Sequence, residues 1–179
     1  MTVMTTAIYP GSFNPPTIGH LEIIRSAIEH LSLTRIDLAI SEVSLGKENV
    51  KAPSIDDRVK VIQASVSGIP GAQVVRTSKQ LIADIAEGYD VVVLGADKWA
   101  QLKDLAFYKD EAHMQDCLRR LPRLAVAPRN NIPVPEEILL EVSEGIAPIS
   151  SSEVRQGKFE WMTEEAKKYG QVNSFWGFS

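Results

Sequence analysis

The sequence predicts an α/β protein, a doubly wound parallel sheet with helices on both faces. Three observations carry that expectation. Short apolar runs alternate with amphipathic segments along most of the 179 residues, as in a chain of repeated strand and helix units. The run Val91-Val-Val-Leu94 is apolar on both sides, which suits a central parallel strand covered by helices. The residues best fitted for chemistry, Gly11, His20, Lys47 and the Gly95-Ala-Asp97 turn, follow the carboxyl ends of predicted strands, where open α/β sheets keep their ligand crevice.

Taken in order, Ala7-Ile8-Tyr9 ends a first strand, and Leu21, Ile23, Ile24, Ala27 and Ile28 form one apolar helical face. Between them, Gly11 lets backbone approach a ligand without a Cβ, and the helix start with its dipole favours an anion. Thr17 and His20 add side-chain donors at the same place. Arg35 to Ser41 reads as a second strand, followed by a polar loop carrying Lys47 and Lys51. Lys47 lies nearer the strand end, so it is the first candidate for a phosphate ligand, with Lys51 as its competitor. Ser54 and Asp57 make a capping-box-like start for a helix over 55–66, with Val59, Ile62 and Val66 on one face. Gln73 to Arg76 is a third strand, Ser78 is expected to cap a short helix carrying Leu81, Ile82, Ile85 and Ala86, and Tyr89 to Leu94 is a fourth. Arg123 to Ala127 repeats the strand pattern, and the prolines between Pro128 and Pro135 mark a loop. Further on, Ser150, Ser151 and Ser152 can cap a helix whose Arg155, one turn in, makes a second anion site.

Composition bounds the function. With 44% apolar residues the chain can bury one core, so a single domain over 1–179 is expected. A formal charge of −4 offers no basic field for nucleic acid, and a small-molecule ligand is expected instead. Cys117 is the sole cysteine, which excludes an intrachain disulfide and a cysteine-based zinc site. His30 and His113 lack companions at metal-ligand spacing, so no metal held by protein side chains is expected. No apolar run approaches the roughly 20 residues that span a bilayer, and no leader pattern stands at the start, so a cytoplasmic protein with no membrane partner is expected. The aromatics of Phe175-Trp-Gly-Phe178 would be left in water unless they dock, so a tail folded onto its own core is expected, with a homo-oligomer contact as the alternative.

Thr17-Ile-Gly-His20 and Ser150-Ser-Ser-Glu-Val-Arg155 together resemble the paired signatures of the nucleotidylyltransferase superfamily, which includes the nicotinate and nicotinamide mononucleotide adenylyltransferases and phosphopantetheine adenylyltransferase. The resemblance implies a Rossmann-like fold and direct attack of an acceptor phosphate on the α-phosphorus of ATP, with release of pyrophosphate. It implies catalytic work for His20, Thr17, Lys47 and Arg155, and nucleotide binding by Gly11, Ser12, Phe13, Gly95, Asp97, Ser150 and Ser151. Mg²⁺ would ride on the ATP phosphates.

The ends of the chain, Ala7 to Phe13 and the serine triplet, are similar to phosphopantetheine adenylyltransferase. The middle, with Leu94-Gly-Ala-Asp97, Ala100-Gln-Leu102 and Val126-Ala-Pro-Arg129, resembles the pyridine-nucleotide branch, where the aspartate lines the ATP ribose. The arginine-flanked glycine motif of the phosphopantetheine branch is absent. Thr17 stands where bacterial nicotinate enzymes commonly have histidine, and Val75 to Lys79 lacks the expected pyridine-stacking ring, leaving Trp99 as a candidate. The expected acceptor is nicotinate or nicotinamide mononucleotide. The alternatives are 4′-phosphopantetheine, a cytidylyl transfer, and a non-catalytic nucleotide-binding protein.

Overall fold

The computed structural model describes residues 3–42 and 53–178. Lys47 and Lys51 lie outside the described residues. The chain forms β1 (Thr6–Pro10), α1 (Ile18–His30), β2 (Arg35–Ser41), α2 (Ile55–Val66), β3 (Ala72–Thr77), α3 (Ile82–Ile85), β4 (Val91–Gly95), α4 (Ala96–Gln101), α5 (Glu111–Arg120), β5 (Arg123–Ala127), α6 (Ser151–Arg155) and α7 (Glu164–Asn173).

The strands pair in the order β3-β2-β1-β4-β5, and every pair is parallel. The order reverses between β1 and β4, so a crevice opens at their carboxyl ends. Side chains alternate across the sheet as strand geometry requires. Ala7, Tyr9, Leu38 and Val93 pack with Ile24 and Ala27 of α1 and Ile62 of α2. Ile8, Ala39, Val92 and Leu94 pack on the other face with Ile85 of α3, Leu102 after α4 and Leu118 of α5. The doubly wound expectation therefore holds, with a hydrophobic layer on each face.

Local signals set most boundaries. Ser54 caps α2 by accepting from the Asp57 N–H at 3.1 Å, and its hydroxyl donates to the Asp57 carboxylate at 2.7 Å. Asp110 caps α5 by accepting from the His113 N–H at 2.8 Å. The expected cap at Ser78 is corrected: Leu81 occupies the N-cap of α3 with no side-chain bond. Thr77 instead organises that turn, its hydroxyl accepting from the Lys79 N–H at 3.1 Å, and α3 is a single turn held by burial of Ala83 and Ile85. The sequence pattern does not announce α7, because the buried positions of that helix are the small residues Ala166 and Gly170. The C-terminal aromatics do dock: Trp176 is buried with Val61, Val154, Met162 and Ala166, and Phe159 stacks on Phe178 at 5.0 Å between centroids.

Candidate active site

A cavity of about 340 Å³ lies over the β1 and β4 ends of the sheet. Its first wall is the turn from β1 into α1. Gly11, Ser12 and Phe13 line it, followed by His20 on the first turn of the helix. Gly11 has a packing reason as well as a ligand one, since a Cβ there would lie 3.0 Å from the Phe13 ring. Phe13 adopts φ 45° in the left-handed region and is fully buried, its edge against His20 at 5.0 Å between centroids. It acts as the floor under the histidine.

Thr17 is the N-cap of α1, and its bonding with His20 is reciprocal. The Thr17 hydroxyl accepts from the His20 N–H at 3.2 Å, while His20 Nδ1 accepts from the Thr17 N–H at 3.0 Å. Because Nδ1 accepts, a neutral His20 carries its proton on Nε2, where it can serve as a donor. Thr17 is itself buried and does not line the cavity, so its geometry is that of a cap aimed at His20. The first turn of α1 carries no acidic residue, which leaves its positive dipole end uncompensated by a carboxylate.

The second wall follows β4. Gly95 and Asp97 line it as expected, and a Cβ on Gly95 would meet nothing within 4 Å, so no internal contact demands glycine there. Open space at that backbone suits close approach of a ligand. Asp97 is 57% exposed and bonds Arg129, whose Nε lies 3.1 Å from the carboxylate. Arg129 also donates to the carbonyls of Ala147 and Ile149, joining β5 to the segment that leads into α6. Lys98 lines the same wall, and burial lowers the pKa of its ammonium.

Ser150 and Ser151 line the cavity at the start of α6. Ser150 caps the helix through the Glu153 N–H at 3.1 Å, as its sequence position predicts. Ser151 turns its hydroxyl to the Pro15 carbonyl at 2.7 Å. Arg155 stands behind the first wall, not among the cavity-lining residues, and donates to the Asn14 carbonyl and to Ser152 Oγ at 3.3 Å. Arg58 reaches the same loop from α2, donating to the Ser12 carbonyl at 3.2 Å, and its Nε is buried without a hydrogen-bond partner. Burial lowers the pKa of both guanidiniums. Two cations thus lie directly behind the loop that would face a phosphate.

Sequence reasoning misses Arg58, Lys98, Phe107 and Tyr108 here. Arg58 carries no local signal because its partner is far away in the chain. Phe107 and Tyr108 line the cavity between α4 and α5, supplying rings that the segment after β3 lacks. Trp99 does not: it packs into the layer under α4, with the Lys103 ammonium 3.8 Å from its ring centroid. Arg129 appears in the sequence only as part of a resemblance, and its place in the wall depends on β5 pairing with β4. Among the described residues no three His, Cys, Asp or Glu side chains lie together as a metal-binding group.

A family model described as cytidylyltransferase-like matches residues 8–157. A probable nicotinate-nucleotide adenylyltransferase of Sulfurimonas denitrificans is 31% identical over 85% of this chain and 84% of its own length. A phosphopantetheine adenylyltransferase of Thiobacillus denitrificans is 30% identical over 86% of this chain and 83% of its own. Among solved structures, Plasmodium falciparum nicotinic acid mononucleotide adenylyltransferase, complexed with NaAD, superposes with a TM-score of 0.70 over 99% of both chains at 15% identity.

Proposed function

The chain belongs to the cytidylyltransferase-like family, and from that premise we propose that it transfers the adenylyl group of ATP to the phosphate of nicotinate mononucleotide, releasing pyrophosphate. The observation that carries this reading is the span of one cavity, which runs from the α1 start with His20 to the rings of Phe107 and Tyr108. A phosphate site and an aromatic wall in one pocket suit a pyridine mononucleotide lying beside ATP. The half-buried Lys98 ammonium in that pocket favours the acid form of the pyridine over the amide.

An acceptor phosphate oxygen attacks the α-phosphorus, the bond to the bridging oxygen breaks, and pyrophosphate carries the charge away. No covalent enzyme intermediate is required. His20 donates through Nε2 to phosphate oxygens as their charge builds, and the α1 N-terminus adds its dipole. Arg58 and Arg155 neutralise the polyphosphate from behind the loop, while Ser150 and Ser151 present the α6 start. Gly95 admits the nucleoside and Asp97, with Arg129, faces its ribose. Lys47, outside the described residues, remains a proposed phosphate ligand. Among the described residues the one carboxylate lining the cavity is Asp97, already engaged by Arg129, so the residues fit Mg²⁺ arriving on ATP better than an ion held by the protein. We read the chain as one domain over 1–179, working in the cytoplasm on small molecules.

A specific observation favours a second acceptor. Leu81, Ile82, Ile85 and Leu102 give the cavity an apolar flank that a pantetheine arm could follow, and phosphopantetheine adenylyltransferases are among the relatives. The test is catalytic efficiency with nicotinate mononucleotide, nicotinamide mononucleotide and 4′-phosphopantetheine at equal MgATP, with CTP as the alternative donor. Dinucleotide formation with the acid preferred is the expected result. Efficient dephospho-coenzyme A formation without dinucleotide overturns the acceptor assignment, and nucleotide binding without turnover of any acceptor overturns the enzyme reading.

A further inference from the structure

We infer that Trp176 is a positioning residue for this reaction: its indole N–H holds the Asn14 side chain and so fixes the loop that sets His20 against the nucleotide. The inference rests on the functional reading above and extends it to a segment beyond the residues matched by the family model, which end at 157.

The contact is direct and buried. Trp176 Nε1 donates to Asn14 Oδ1 at 2.6 Å across 162 residues of sequence, with Trp176 7% and Asn14 2% exposed. It belongs to a set of bonds through which the C-terminal third grips each residue of Asn14-Pro15-Pro16. Arg155 donates to the Asn14 carbonyl, Ser151 to the Pro15 carbonyl, and the Thr163 N–H to the Pro16 carbonyl at 3.2 Å. Thr163 is tied in turn to Ser65 of α2 at 2.8 Å. Only the Trp176 bond reaches the Asn14 side chain among these contacts.

The tail is shaped to deliver that indole. Ser174 and Trp176 both take left-handed φ values, 58° and 57°, which side chains adopt only when their surroundings hold them. A Cβ on Gly177 would lie 2.8 Å from the Phe159 ring, and one on Gly170 would lie 2.8 Å from Phe178, so both glycines are needed for the tail to seat. The grip matters because Phe13, the neighbour of Asn14 in the chain, is itself held at φ 45° with its edge on His20. If the indole donor is lost, the buried Asn14 amide must turn to find another, and the strained Phe13 and the ring above it lose their register. Histidine placement errors well under an ångström lower transfer rates more than they weaken ATP binding.

The test is a double-mutant cycle with Trp176→Phe, which keeps a ring but removes the donor, and Asn14→Ala, which removes the acceptor. Melting temperature and near-UV circular dichroism check the fold, calorimetry with a non-hydrolysable ATP analogue reads binding, and pyrophosphate release reads turnover. Trp161→Phe is the control, since it trims the same aromatic cluster and, among the described residues, its side chain makes no hydrogen bond to the loop. The expected result is a fall in kcat of about tenfold for Trp176→Phe with KM for ATP changed less than threefold, a similar fall for Asn14→Ala, and no further fall in the double variant. The Trp161→Phe variant should turn over normally. Wild-type kcat in folded Trp176→Phe, or multiplicative losses in the double variant, overturns the inference alone. If Trp176→Phe fails to fold, Asn14→Ala decides: normal kcat overturns the inference and the kcat-selective loss supports it. A wild-type chain that neither binds the analogue nor releases pyrophosphate overturns the functional reading, and this inference with it.

Discussion

On the β1–α1 side of the cavity, Phe13, Asn14 and Thr17 are 1%, 2% and 1% exposed, and the loop they form is bonded from α2, α6 and the C-terminal tail. On the facing side, Phe107 and Tyr108 are half-buried on and beside a single 3-10 turn, which is tied to the rest of the wall by the Tyr108 hydroxyl donating to the Leu102 carbonyl at 2.9 Å. The loop after β1 is over-determined and the aromatic turn is lightly held. Transfer at phosphorus needs fixed donors, since a preformed site spends no energy reorganising as charge develops. Reading an acceptor needs shape and rings, which tolerate adjustment.

The largest effect expected from breaking the rigid wall is that of His20→Ala. Thr17 can still cap α1 through its hydroxyl, so the fold should persist while kcat falls by about 10²- to 10³-fold, the usual loss for one transition-state donor. Steady-state pyrophosphate release beside a thermal melt checks it, and near-normal turnover would remove His20 from the mechanism. Next is Arg155→Ala, which removes a charge behind the loop together with its bond to the Asn14 carbonyl. Charge-assisted bonds contribute about 1.5–3 kcal/mol, so efficiency with ATP should fall roughly ten- to hundredfold. Unchanged affinity for the ATP analogue with a lower melting temperature would make Arg155 a fastener of the loop and no more.

The lightly held wall should respond differently. Phe107→Ala is expected to raise KM for the pyridine acceptor by up to about tenfold, the scale of one aromatic contact, while KM for ATP stays within twofold. Equal effects on both substrates would end the division of labour between the walls. The smallest effect concerns Glu22 of α1, whose carboxylate accepts from the Ser143 hydroxyl and N–H and thereby steadies the segment leading to α6. The Ser143 hydroxyl bond holds the Glu22 carboxyl below its ordinary value near 4.5. A carboxyl depressed in the folded state stabilises above that ordinary value, and the contribution is lost as pH falls through the lower folded value. Melting temperatures between pH 6 and pH 3 should therefore drop less steeply for Glu22→Gln than for the wild type, and identical slopes would exclude this linkage.

Much of this is legible in one dimension, because backbone choices are local. Alternation of apolar runs foretells the parallel sheet, β2 and β5 fall on their expected residues, and the caps at Ser54 and Ser150 follow from side chains three residues from their partners. The same logic brings Gly11, His20, Gly95, Asp97 and Ser150 to one crevice, since all follow strand ends or open a helix there. Thr17 shows the limit within a single turn: its position suggests a donor to a ligand, whereas the structure directs it to His20. Lys47 falls outside the described residues.

The sequence by itself determined the order of the five strands, the faces that α1 and α2 bury and the place of the histidine, because period and capping depend on neighbours a few residues apart. Only the tertiary structure decided which charges and rings complete the site. Arg58 meets Ser12 across 46 residues, Arg129 meets Asp97 across 32, and Trp176 meets Asn14 across 162. Such pairs leave no periodic trace in the chain, since what joins them is packing of separate elements in three dimensions, where a donor is chosen by distance and desolvation and not by spacing.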